Sequence, residues 1–88
     1  MRKPGEWMQL PTDERILEVL QSSELVLSPA VIGKNIDKSR EQVNRRLTEL
    51  VDYGFVTRVE RGYYEIADTG VQYLEGDLDA ANLESESE

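Results

Sequence analysis

The sequence predicts a mainly α fold with a small β-hairpin, and two observations carry that reading. Apolar residues recur at three- and four-residue spacing in separate short stretches, each opened by a residue suited to a helix N-terminus. Between the last two of these stretches, residues 55–60 and 63–67 read as strands joined at Arg61-Gly62.

The elements follow in order. Residues 1–10 form a short N-terminal arm that holds the single Trp7, next to Met8. Both read as packing residues, against this core or a second subunit. Pro11-Thr12-Asp13 opens the first helix, with Thr12 as cap and with Asp13 and Glu14 complementing the positive helix end. Ile16, Leu17 and Leu20 supply its apolar stripe, and it should fade near Ser22-Ser23. Ser28-Pro29 starts a second, short helix, because proline at the first helical position loses no needed hydrogen bond. Ala30, Val31, Ile32 and Ile36 can face the core, and the helix should end near Asn35.

Ser39 with Gln42 fits a capping box: the hydroxyl accepts from the third helical N–H and the Gln side chain reaches back. Val43, Leu47, Leu50 and Val51 then give a helix over 39–53 one apolar face. Gly54 is the expected left-handed residue after it, with Phe55 packing back on the last turn. In the hairpin Gly62 supplies a positive φ, but the register stays open. A two-residue turn sets Val59 opposite Tyr64, and a glycine bulge shifts the pairing by one and swaps the faces. Tyr64 and Ile66 read as core. Asp68 or Thr69 caps a last helix carrying Val71, Leu74 and Leu78, weakened in its middle by Gly76. Residues 79–88 are acidic and polar and are expected to be a disordered tail. The domain proper is therefore placed at 11–78.

This order is helix, short helix, longer helix, hairpin, helix. It is the order of a winged helix-turn-helix, with 39–53 as the recognition helix and 55–67 as the wing.

Charge is distributed unevenly. The 88-residue chain has a net charge of −8, yet seven of its ten positive residues fall within 34–61, against five negative ones. Residues 62–88 carry eight carboxylates and no positive charge. A basic island in an acidic chain calls for an anionic partner, and double-stranded DNA fits this pattern. On the helix over 39–53, Arg45 lies almost opposite the core face, flanked by Glu41 and Gln42, with Asn44 and Arg46 at the edges. Arg45 can bond guanine with both donors, and Gln42 and Asn44 can do the same for adenine. Ser39 and its neighbouring amides suit a phosphate. Arg40 and Arg46 read as phosphate clamps, and Arg58 and Arg61 as wing contacts to backbone or minor groove. The plainer alternatives are an exposed Glu41–Arg45 pair and a hairpin charged only for solubility.

The composition also excludes. Without cysteine or histidine there are no disulfides, no thiolate or imidazole metal sites and no Cys- or His-dependent catalysis. No nucleophile–base pair or phosphate cradle is present, and Asp77, Asp79 and Glu84 match no calcium loop. The reading is thus of a non-enzyme with no cofactor, metal or evident small-molecule ligand. No apolar run approaches the ~20 residues of a membrane span, so a cytoplasmic location is expected. Small size favours a homodimer, since a chain of this length buries only roughly 60–65% of its unfolded surface. Three Lys against 18 acids suggest adaptation to high salt.

Several segments also resemble the haloarchaeal winged-helix regulators typified by the halophage phi-H repressor. They are Gly5-Glu6-Trp7-Met8, Arg15-Ile16-Leu17-Glu18, Ser28-Pro29 with Ile32, Ser39 to Leu47 with Arg45-Arg46, Tyr53-Gly54-Phe55-Val56, Arg61-Gly62 with Tyr64 and Ile66, and Gly70 with Tyr73-Leu74 and Gly76. The resemblance implies a DNA-binding transcriptional regulator of a halophilic archaeon, a repressor, with residues 39–46 as the reading head. The alternative from a different class is a winged-helix protein-interaction adaptor that never touches DNA.

Overall fold

The computed structural model describes residues 1–83. The elements are α1 (Thr12–Ser23), α2 (Pro29–Ile36), α3 (Arg40–Asp52), β1 (Val56–Glu60), β2 (Tyr63–Ile66), α4 (Asp68–Leu74) and a final 3-10 turn, Ala80–Asn82. The order is that of a winged helix-turn-helix. One core forms where the helices and the hairpin meet, built on Ile16, Leu17, Leu20, Ile32, Val43, Leu47, Leu50, Phe55, Tyr64 and Tyr73.

The helix-turn-helix is locally well specified. Ser28 caps α2 by accepting from the Val31 N–H at 3.3 Å, and Pro29 occupies the first position. The capping box of α3 is complete. The Gln42 N–H donates to the Ser39 hydroxyl at 3.1 Å, and the Ser39 N–H donates to Gln42 Oε1 at 3.2 Å. At the other end of α3 the Gly54 N–H reaches the Val51 carbonyl and the Phe55 N–H reaches that of Leu50. Gly54 adopts φ +82°, which closes the helix as expected.

The hairpin combines both readings of its register. Glu60 pairs with Tyr63 across the two-residue turn Arg61-Gly62, where Gly62 has φ +85°. Val59 is then bulged out, so Arg58 pairs with Tyr64 and Val56 with Ile66. The extra residue lets Tyr64, 2% exposed, face the core while the tip keeps a tight turn. Leu27 adds a third rung, exchanging both backbone hydrogen bonds with Tyr64 at 2.8 and 2.9 Å.

Other expectations are corrected. Thr12 does not cap α1: Pro11 occupies the cap position without a side-chain bond, and Asp13 lies buried within the first turn. In α2 only Ile32 and Ile36 reach the core. Ala30 and Val31 face solvent, because two turns of helix can present only a narrow stripe inward. No side chain caps α4, and it stops at Leu74, so Gly76 with φ +83° lies beyond its end and Leu78 is not helical.

At the ends of the domain the arm packs on its own core, one of the two readings of Trp7 and Met8, and residues 79–83, expected to begin a disordered tail, are held against it. The Ala80 N–H donates to the Lys3 carbonyl at 2.9 Å, and the Trp7 indole N–H donates to the Ala80 carbonyl at 3.1 Å. Ala80 is fully buried. The Trp7 ring stacks on Tyr53 with centroids 3.7 Å apart and packs beside Phe55. Arg2 donates to the Leu74 carbonyl and pairs with Glu18 at 2.9 Å. Arm and residues 79–83 therefore hold each other against the end of α3. The remainder of the predicted tail, 84–88, lies outside the described residues.

Candidate nucleic-acid interface

Helix α3 turns Val43, Leu47 and Leu50 fully inward. At about 100° per residue, this leaves Glu41, Asn44 and Arg45 on the outer side, with Arg40 and Gln42 at its flanks, all exposed. Two clefts border this ridge. On the wing side Arg40, Glu41 and Asn44 share one cleft with Arg61 and Gly62 of the hairpin tip and with Ser28, Pro29 and Ala30 at the start of α2. On the arm side Gln42 and Arg45 share another with Gln9, Thr12 and Arg46. The fold thus brings the outer residues of α3 and the Arg61 tip to one side of the molecule.

Electrostatically, the cations on this side are open. Among the described residues, no carboxylate lies within salt-bridge distance of Arg40, Arg45 or Arg61. In particular the i, i+4 pair Glu41–Arg45 is not formed, so the Arg45 fork keeps its donors. Ser39 and Gln42 are exposed too, but the capping box occupies the Ser39 hydroxyl and Gln42 Oε1, and the Gln42 amide N–H groups have no hydrogen-bond partner among the described residues.

Two of the predicted contacts sit elsewhere. Arg46, read as a phosphate clamp, directs its guanidinium at the protein itself. Its Nε donates to Asp13 Oδ1 at 2.8 Å, and its Nη2 donates to Asp13 Oδ2 at 2.9 Å and to the Trp7 carbonyl at 3.2 Å. The Asp13 side chain is fully buried, and its other partner is the Gln9 N–H at 3.0 Å. A buried carboxylate needs such complete pairing, and the bond to it raises the Arg46 pKa above its ordinary value. Arg58 shares the inward face of β1 with Val56. Its Nη2 donates to the Tyr64 hydroxyl at 3.1 Å and its guanidinium lies 5.5 Å from that ring's centroid. Arg58 is exposed but does not line the cleft that Arg61 borders.

The pairing of Asp13 with Arg46 was not legible in sequence. Asp13 reads as an ordinary first-turn acid and Arg46 as a helix-edge cation, and nothing local links residues 33 positions apart. Ser28 was legible as a cap but not as a neighbour of the wing tip.

The α3 ridge, the wing beside it and the capped helix-turn-helix define the class. The chain belongs to the winged helix-turn-helix phage repressor family, whose model matches residues 1–86. Among individual proteins it is similar to a repressor protein of Halobacterium phage phiH, 38% identical over 88 residues that cover 96% of this chain and 98% of that one. Among solved structures it is similar to the PhiH1 repressor-like protein from Haloarcula marismortui. That likeness has a TM-score of 0.85 at 34% identity and covers 97% of both chains. The resemblance carried by the sequence segments is thereby shown, and so is the winged helix fold.

Proposed function

We propose that this chain is a sequence-specific repressor of transcription that binds double-stranded DNA as a homodimer. Helix α3 enters the major groove, where Arg45 and Asn44 read base edges and Gln42 adds its amide donors. Arg40 and the Ser39 end of the helix hold flanking phosphates. Arg61, at the wing tip, contacts backbone or minor groove. The observation that carries this reading is the shared placement of Arg40, Glu41 and Asn44 with Arg61 around one open cleft, beside an Arg45 that has no acidic partner among the described residues. An adaptor that avoids DNA has no use for unpaired guanidinium groups on one side of so acidic a chain.

Both similar proteins come from halophilic sources, a Halobacterium phage and Haloarcula marismortui. Counterion release normally drives much of DNA binding, with a slope of about −0.9 per phosphate contacted. In concentrated salt that drive fades, so base contacts and shape must carry more of the affinity here. The test is gel mobility on genomic fragments in high KCl, with Arg45→Ala and Arg61→Ala. Loss of binding with retained fold supports the reading. Unchanged binding in both variants, or none by the unaltered chain, contradicts it.

A further inference from the structure

The Asp13–Arg46 junction has a placement that stability alone does not require. It lies beside the arm-side cleft, where Gln42 and Arg45 of α3 face Gln9 and Thr12 of the arm and α1. The apolar contacts of Val43, Leu47 and Leu50 hold α3 to the core and set which face turns inward, but burial of apolar surface is non-directional and supplies no bond that fixes the finer rotation about the helix axis. The Arg46 fork is directional. It makes two parallel bonds to one carboxylate and a third to the Trp7 carbonyl, so it meets two fixed points on two other segments. Those points are themselves anchored: Asp13 by the Gln9 N–H, and Trp7 by its stack on Tyr53 and its bond to Ala80. Arg45 is the next residue along the chain. Because the pair is buried, salt screens it far less than an exposed pair such as Arg2–Glu18.

We infer that Arg46 is a positioning residue: gripped by Asp13 and the Trp7 carbonyl, it fixes the rotation of α3 and so the aim of Arg45 and Gln42, without itself touching DNA. This rests on the DNA-reading function proposed above. It separates sequence discrimination, which depends on aim, from phosphate affinity, which does not.

The test compares the unaltered chain with Arg46→Lys and with the apolar pair Asp13→Leu/Arg46→Met. The lysine variant keeps a cation but loses the fork. The apolar pair removes both charges together, a replacement that buried ion pairs often tolerate. Folding is checked by circular dichroism and thermal unfolding, and the lysine variant carries the test if the apolar pair does not fold. Affinity is measured on a duplex selected by the unaltered chain and on a scrambled duplex, across a range of KCl. The expected result is a drop in the selected-to-scrambled affinity ratio of roughly ten-fold or more, with scrambled-duplex affinity and salt slope unchanged. A ratio that holds while only the unfolding temperature moves makes the junction merely structural and overturns the inference. A uniform loss on both duplexes, with the slope of the apolar pair shallower by about 0.9, makes Arg46 a phosphate contact and overturns it as well. Absence of duplex binding by the unaltered chain overturns the function and this inference together, whereas normal binding with an unaltered ratio in the variants overturns this inference alone.

Discussion

Arg45 and Arg46 are adjacent and chemically identical, and the fold gives them opposite environments. One is exposed with no carboxylate in reach among the described residues, and the other is held by a fully buried aspartate. Asp13→Ala should therefore destabilise the fold by about 3–5 kcal/mol, because it strands a guanidinium with little access to water. Denaturant unfolding measures this, and a loss under about 1 kcal/mol would mean the pair is solvated. Tyr73 offers a second probe. Burial first, and then its 2.7 Å bond to Glu14, push the phenol pKa well above its ordinary value. The folded chain thus binds that proton more tightly than the unfolded chain. The stability this contributes is complete below about pH 10, where an unfolded tyrosine titrates, and is lost as pH rises toward the folded value. Unfolding temperature should fall more steeply with alkali in the unaltered chain than in Tyr73→Phe, and parallel profiles would remove Tyr73 from the account.

Helix α3 was the most legible element, because each of its signals is local. Ser39 and Gln42 form the capping box, the apolar face turns inward, and Gly54 closes the end through two backbone bonds. Gly54→Ala should cost about 1 kcal/mol through its left-handed φ alone, since nothing lies within 4 Å of an added Cβ. A neutral result in denaturant unfolding would mean that the helix end can relax. The wing was only half legible. Gly62 marks the turn, but the Val59 bulge follows from the need to bury Tyr64 against Leu27, and Leu27 lies more than thirty residues away. The same limit hid the fate of Arg58, whose face depends on that bulge. Elements set by caps and periodicity could be read from the chain; those set by a distant partner could not.

Across the whole molecule, the two ends act as one clasp. Lys3, Trp7 and Ala80 join them, and Trp7 carries the contact on to Tyr53 at the end of α3 and, through its carbonyl, to Arg46. Composition marked this region only as an arm and an acidic tail, since its bonds run largely through backbone atoms. Truncation after Leu78 should lower the unfolding temperature and raise Trp7 exposure to a fluorescence quencher. Truncation after Leu83 spares every contact of the clasp named here and should leave both unchanged. Equal effects of the two truncations would show that the clasp adds nothing to the fold.

These contacts together hold one helix face with a wing tip beside it, and the proposed function is that this surface reads a duplex. Selection from a random duplex pool in concentrated KCl, run in parallel with the unaltered chain and with Arg45→Ala, tests that claim most directly. The account predicts a two-fold symmetric consensus for the unaltered chain. In Arg45→Ala, preference at one base position of each half-site should relax, with a loss of about 1–3 kcal/mol on the selected site. A pool that yields no enriched sequence, or a consensus that Arg45→Ala leaves intact at every position, would contradict it.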